Sequence, residues 1–317
     1  MKIFIYPWGF TASMKRKIVQ HGSSSLTLTL PSTWAQRFHL AKGDELSVQE
    51  SGPMLIISTE QQMASPRKSV ETTQFGAFTK NNLSHLYQLG YDELDISFDT
   101  LKGHETVQAI MKRIPDCIGF EIIDQRPGHI TIKSIASTLE SEYDMLLRKS
   151  FLITDEMAKG IMEAVRTHSA ATLPETRTLE ALNNKFTNTC LRILNKRGYK
   201  VVNRGMQMYE TVKMIERIAD ELRDLCDALI GMRQKVNSAL ASSIIDALKY
   251  YLTFSEMFFK FSPGLKQRIY EGKETLTASL SSQLEKASGK QSAVLHHLLN
   301  VVQKTSDAAG GYFALML

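Results

Sequence analysis

Cysteine is scarce in this chain: three among 317 residues, Cys117, Cys190 and Cys226, far apart and without a CxxC pair. That spacing argues against a disulfide framework or a cysteine zinc site, and fits three buried thiols in a reducing compartment. Long apolar runs are also missing. No window approaches about 18 uninterrupted apolar residues, so no membrane insertion is expected. The opening MKIFIYPWGFTAS has a short apolar run broken by Pro7 and no small-residue cleavage site, which speaks against a signal peptide. Charge bias is weak. Thirty-eight Lys and Arg stand against 33 Asp and Glu, a net charge of +5 that is compatible with an anionic partner without requiring one. Enzyme signatures are lacking too: no Walker loop, no GxGxxG after a strand, no HExxH and no GxSxG. The eight histidines cluster only at His296-His297. Adjacent helical positions point about 100° apart, so that pair forms no chelate on one face; His297 is expected to pack near Val301 and His296 to be exposed. The chain reads as non-enzymatic and cytoplasmic.

What is present is ordered along the chain. A length of 317 residues gives room for two or three domains, and 43% hydrophobic with 22% charged residues is ordinary for globular protein. Residues 1–13 read as an over-called start or a loose arm, and patterned sequence begins at Met14. Within 14–60, Leu26, Leu28 and Leu30 alternate with Ser25, Thr27 and Thr29, the period of a half-buried strand. Pro31 ends it. Ser32 or Thr33 is placed to cap a helix of about two turns, Thr33 with Gln36 at capping-box spacing, and Trp34 and Phe38 share a face. Turns at Gly43 and at Gly52-Pro53 lead into two more strands, around Leu46 and Val48 and around Leu55 to Ile57. A unit of about 45 residues buries too little surface alone, so a homodimer is expected.

Residues 61–74 are polar and aperiodic and read as a linker. Residues 75–136 read as a small α/β module. Its helices are expected at 79–89 and 105–113 and its strands at 93–98, 117–124 and 129–135, the last two joined at Arg126-Pro127-Gly128. Its expected role is structural, as a spacer or dimer contact. From 137 to 317 strand signals vanish. Six helices are expected, about 137–168, 174–197, 203–234, 236–261, 264–288 and 290–315, as two antiparallel three-helix bundles in tandem. The third and sixth are faintly alike: IERIADELRDLCDAL from Ile215 aligns with VQKTSDAAGGYFALM from Val302.

Two resemblances follow from these motifs. The order from Lys17 to Val48 resembles the AbrB/SpoVT swapped-hairpin domain, a small dimeric module most often used to bind DNA. Glu216-Arg217-Ile218-Ala219-Asp220 resembles the ERIADxxxxI signature of PhoU proteins, the phosphate-uptake regulators. LESEYDMLLRKSFLITDEMAKGI from Leu139 and FTNTCLRILNKRGYK from Phe186 also resemble archaeal PhoU-like chains, which carry an AbrB-type domain at the amino end. The motifs stand in that order and cover nearly everything after Met14. Together they imply a multidomain fold: a β-rich swapped hairpin, a small α/β module, and an all-α PhoU-like region of tandem three-helix bundles.

Candidate site residues come from both regions. Residues four apart share a helical face, so Glu216 with Asp220, and Glu140 with Asp144, could reach one cation. By resemblance, these carboxylates and Asp307 would hold a divalent or trivalent metal ion, Mg, Mn, Fe or Zn. Gln303 stands where the second repeat would have Glu, and Asn184 where a carboxylate would help, which weakens a second metal site. The alternative is that Glu216 and Asp220 pair with Lys213, Arg217 or Arg223 on a solvated face. In the hairpin domain Lys15, Arg16, Lys17 and Arg37 are candidate DNA-phosphate contacts, with His21, Ser23 and Ser24 adding hydrogen bonds from the turn. The family pattern of Arg before the Leu-Pro strand and in the short helix is only partly met: Thr27 stands in the first place and Ala35-Gln36 precede Arg37. Two functions fit. One is a DNA-binding transcriptional regulator of phosphate uptake. The other is an adaptor that touches a phosphate transporter or signalling kinase, its hairpin domain only dimerising.

Overall fold

Gly22 at φ +72 reverses the chain between β1 (Val19–His21) and β2 (Ser25–Thr27), an antiparallel pair with Val19 opposite Thr27. The computed structural model describes residues 14–51, 53–59, 66–75, 78–101, 103–135, 142–201, 204–232 and 236–316, and divides the chain into two units, Met1–Ala64 and Ser65–Leu317. In the first unit α1 (Ser32–Arg37) follows, then an antiparallel hairpin of β3 (Ser47–Ser51) and β4 (Met54–Ser58). Two details differ from the sequence reading. The strand stops at Thr27, short of Leu28 and Leu30. The N-cap is Pro31, whose carbonyl accepts from the Trp34 and Ala35 amides at 3.0 and 2.9 Å. Ser32 and Thr33 therefore lie inside the first turn, and no side chain caps it. Residues 1–13 lie outside the described residues.

The second unit opens with a four-stranded sheet of order β5-β6-β8-β7, from β5 (Arg67–Glu71), β6 (Glu93–Ser97), β7 (Phe120–Arg126) and β8 (His129–Ser134). The segment read as a linker thus contains a strand, parallel to β6 with Val70 opposite Ile96. It lies at the sheet edge and Val70 is its one buried residue, so its sequence shows no period of two. Helices α2 (Lys80–Gln88) and α3 (Gly103–Arg113) complete the module around Leu83, Tyr87, Ile96, Ile110, Phe120 and Ile132. Thr79 and Asn82 form a capping box at the start of α2.

Six long helices follow: α4 (Tyr143–Arg166), α5 (Leu173–Arg197), α6 (Gly205–Ile230), α7 (Ser238–Phe259), α8 (Pro263–Lys286) and α9 (Gly289–Met316). Asn237 and Ser262 cap α7 and α8 by accepting the Leu240 and Leu265 amides at 2.9 and 3.2 Å. Helices α4 to α6 pack together, as do α7 to α9. The two sets meet along α6 with α9 and along α4 with α7. The helices whose sequences are faintly alike, α6 and α9, thus lie against each other. They run antiparallel, Arg204 at the start of α6 donating to the Leu315 carbonyl near the end of α9. Cys117, Cys190 and Cys226 are buried and free. No helix among the described residues is long and apolar enough to cross a membrane.

Helix α2 of the α/β module docks on α5. The Tyr87 hydroxyl lies 3.1 Å from Thr189 Oγ1, Gln88 donates to Asn188 at 2.6 Å, and Asn195 donates to the Gln88 carbonyl at 2.7 Å.

A second buried polar contact joins α4 to α7. Ser255 donates to Asp155 Oδ2 at 3.0 Å, while the other carboxylate oxygen is buried without a partner and the Tyr251 hydroxyl lies beside it. Burial raises the Asp155 carboxyl above the ordinary aspartate value, against the hydrogen bond from Ser255, the neighbouring Tyr251 hydroxyl and the charge of Lys159, with Glu156 adding to the rise. The folded chain therefore holds a proton here more tightly than the unfolded chain. That contribution to stability is complete below the unfolded value and is lost as pH rises through the folded one. Asp155→Asn is expected to raise the melting temperature at about pH 8 and to change it little at about pH 3 or below, where most of the aspartate is protonated in both states. Melting curves at the two pH values check this; equal shifts at both would sink it.

Candidate functional site

The first unit exposes both its charges and its apolar side chains. Lys15, Arg16 and Lys17 lead into β1, His21, Ser23 and Ser24 surround the turn at Gly22, and Arg37 sits in the last turn of α1; all seven are exposed. These are the sequence-predicted DNA contacts, and the hairpin and the short helix carry them on one small unit. Asp44 is committed locally, accepting the Ala41 amide at 2.8 Å. No described side chain from 14 to 59 is buried. Leu26 is 71% exposed, Ile18 65%, Val48 57% and Leu55 56%. Two short hairpins and one helix of six residues that leave these groups in water have no core of their own.

Three of the predicted metal ligands are ion-paired. Glu140 lies outside the described residues. Asp144, exposed at the start of α4, meets Lys200 at 3.0 Å. Glu216 pairs with Lys213 one turn away. Asp220 pairs with Arg223 at 2.6 Å, and Asp307 is exposed on α9. Arg223 also meets Glu180 of α5 and Asp224 of α6, each at 2.9 Å. Burial opposes the Arg223 charge, but Asp224, Asp220 and Glu180 outweigh it and raise its pKa. Burial and the neighbouring Asp220 raise the Glu180 carboxyl, against Arg223. A guanidinium thus sits among three carboxylates on the α5–α6 face. Among the described residues no group of three or more His, Cys, Asp or Glu side chains is arranged to hold a metal ion. Two of the predicted ligands, Glu216 and Asp220, are paired with Lys213 and Arg223.

This arrangement has a direct test. Arg223→Gln leaves Glu180, Asp220 and Asp224 without their shared cation and is expected to cost about 1–3 kcal/mol of stability. Manganese at millimolar concentration should raise the melting temperature of that variant more than that of the unmodified chain. Equal manganese shifts in the two proteins would show that Arg223 does not compete with a cation.

A second polar cluster, missed from sequence, lies where α6 meets α9. The half-buried Glu221 takes Lys304 at 2.7 Å, His297 Nδ1 at 2.8 Å and Asn300 at 3.3 Å. Burial raises the Glu221 carboxyl, but the hydrogen bonds from Lys304 and His297 win and hold it below the ordinary glutamate value. His297 thus serves this cluster, whereas His296 is exposed and meets Asn300 of its own helix. The sole sequence signal was the spacing of His297, Asn300 and Lys304 along one face of a helix. No family model, curated protein or solved structure matches this chain.

Proposed function

We propose that this chain is a dimeric, cytoplasmic, phosphate-responsive regulator that binds DNA through its first unit. The observation that carries this reading is the coreless hairpin unit of residues 14–59, whose apolar side chains are exposed beside Lys15, Arg16, Lys17 and Arg37. A second copy would cover the apolar side chains and double the cationic ones. Phosphate contacts then supply affinity and orientation, and the turn residues His21, Ser23 and Ser24 add hydrogen bonds. The PhoU-like region is the sensing part in this reading, supported by its two sets of three helices and the ERIAD phrase on α6. An effector shifts DNA affinity only by binding one arrangement of the dimer better than another.

A second reading is favoured by one observation: Ser65–Leu317 has its own cores and is a separate unit. It could serve as an adaptor to a phosphate transporter or signalling kinase with the hairpin unit only dimerising. The deciding experiment is binding of the full chain to its own promoter duplex and to random duplexes at two salt concentrations. Preference for the promoter with a steep salt slope supports the regulator. No binding at low salt leaves the adaptor.

A further inference from the structure

The helical region carries an aromatic ribbon where α4 and α8 begin and α7 and α9 end. Phe258 stacks on Phe151 of α4 at 4.6 Å between ring centroids and meets Phe259 at 5.1 Å and Tyr312 of α9 at 5.1 Å. Tyr312 neighbours Phe313, which stacks on Tyr270 of α8 at 5.4 Å and 11°. Cations stand over both ends. Arg148 lies 5.4 Å from the Phe259 centroid, and Lys266 lies 5.2 Å from Phe313 and 5.8 Å from Tyr270. The inner rings are packed, but Tyr270 is 59% exposed, Met316 48% and Phe259 46%. Phe259 and Tyr270 thus stand exposed at the two ends of one run of packed rings.

We propose that this ribbon docks peripherally on an anionic membrane surface. Aromatic rings at a bilayer interface bury their apolar faces among headgroups and upper acyl chains, while Arg and Lys stems reach out to lipid phosphates. Arg148 and Lys266 flank the rings, and Lys149, Lys260 and Arg268 are exposed on the same helix ends. The exposed acidic side chains in these segments are fewer: Glu142, Glu256 and Glu271, with Asp144 held by Lys200. Charge complementarity therefore selects anionic over neutral lipid. No spanning helix is needed for a contact of this kind.

The test is co-sedimentation of the full chain with vesicles of phosphatidylcholine, or of phosphatidylcholine and phosphatidylglycerol in equal parts. The chain should pellet with the anionic vesicles, less at high salt, and remain in solution with the neutral ones. Phe259→Ser with Tyr270→Ser, and separately Arg148→Glu with Lys266→Glu, should each weaken binding about tenfold or more. Lys15→Ala with Arg16→Ala and Arg37→Ala should leave most of it, which separates this surface from the hairpin unit. Melting curves and size measurements accompany each variant. Unaltered binding by both ribbon variants overturns the proposal, as does loss caused only by the hairpin variant. Conversion of a dimer to a monomer by Phe259→Ser with Tyr270→Ser also overturns it, by showing that a second copy covers the ribbon.

Discussion

Arg192→Ala is expected to destabilise the second unit by about 3–5 kcal/mol, the largest effect of any single substitution considered. Its guanidinium is 4% exposed. It donates to the Tyr87 carbonyl at 2.9 Å and the Tyr91 carbonyl at 2.7 Å, pairs with Asp92, and lies 4.8 and 5.1 Å from the Tyr87 and Phe120 rings. Truncation leaves two backbone acceptors without this donor and removes the layer between α5 and the sheet. Lys196 would still meet Asp92 at 2.9 Å, so the carboxylate keeps one partner. Lys196→Ala, a partly exposed member of the same cluster, should cost only about 1 kcal/mol. Arg192→Lys should fall between the two, since an ammonium cannot reproduce the planar fork. Thermal unfolding of the full chain checks the order. For Arg192→Ala the α/β module is expected to melt ahead of the helices, giving a second transition. Equal losses for Arg192→Ala and Lys196→Ala would show that the buried fork has no special weight.

That cluster also marks where sequence reading stops. The six helices were legible because each repeats its apolar residues at helical spacing over many turns and ends at a strong breaker, such as Pro263 or Gly289. Observed ends lie within a few residues of the expected ones, apart from the start of α4 at Tyr143. Strand β5 was not legible, since an edge strand with one inward residue looks like a linker. The pairing of Asp220 with Arg223 follows from their spacing on one helix. Glu180 joins them from 43 residues away, and only the packing of α5 on α6 reveals it. Arg192 gave a better signal, an arginine inside the apolar CLRIL run. A charge on a buried face needs a partner, but not even that rule names Tyr87, Tyr91 or Asp92. The candidate DNA contacts were legible as charges and turn donors, and their shared exposure required the fold.

Lys15→Ala, Arg16→Ala and Arg37→Ala combined should lower duplex affinity about 100-fold or more at low salt and flatten its salt dependence. In a dimer the three substitutions remove six charges, and each phosphate contact contributes about 0.9 to the slope of log affinity against log salt. The slope should therefore fall by up to about 5 if all six engage phosphates. The loss should be similar for promoter and random duplexes, because phosphate contacts carry no sequence information. His21→Ala with Ser24→Ala should behave differently if the turn reaches base edges: a smaller total loss, concentrated on the promoter, with the slope nearly unchanged. All of these side chains are exposed, so melting temperatures should stay within about 1–2 °C. Filter-binding titrations at several salt concentrations separate the cases. An unchanged slope in the triple variant places the phosphate-binding surface elsewhere on the chain. A slope that falls by about two places a single cation of the three, once in each copy, at the backbone. In either outcome the proposed pairing of two hairpin units stands, because it rests on exposed Leu26, Val48 and Leu55 rather than on the charges.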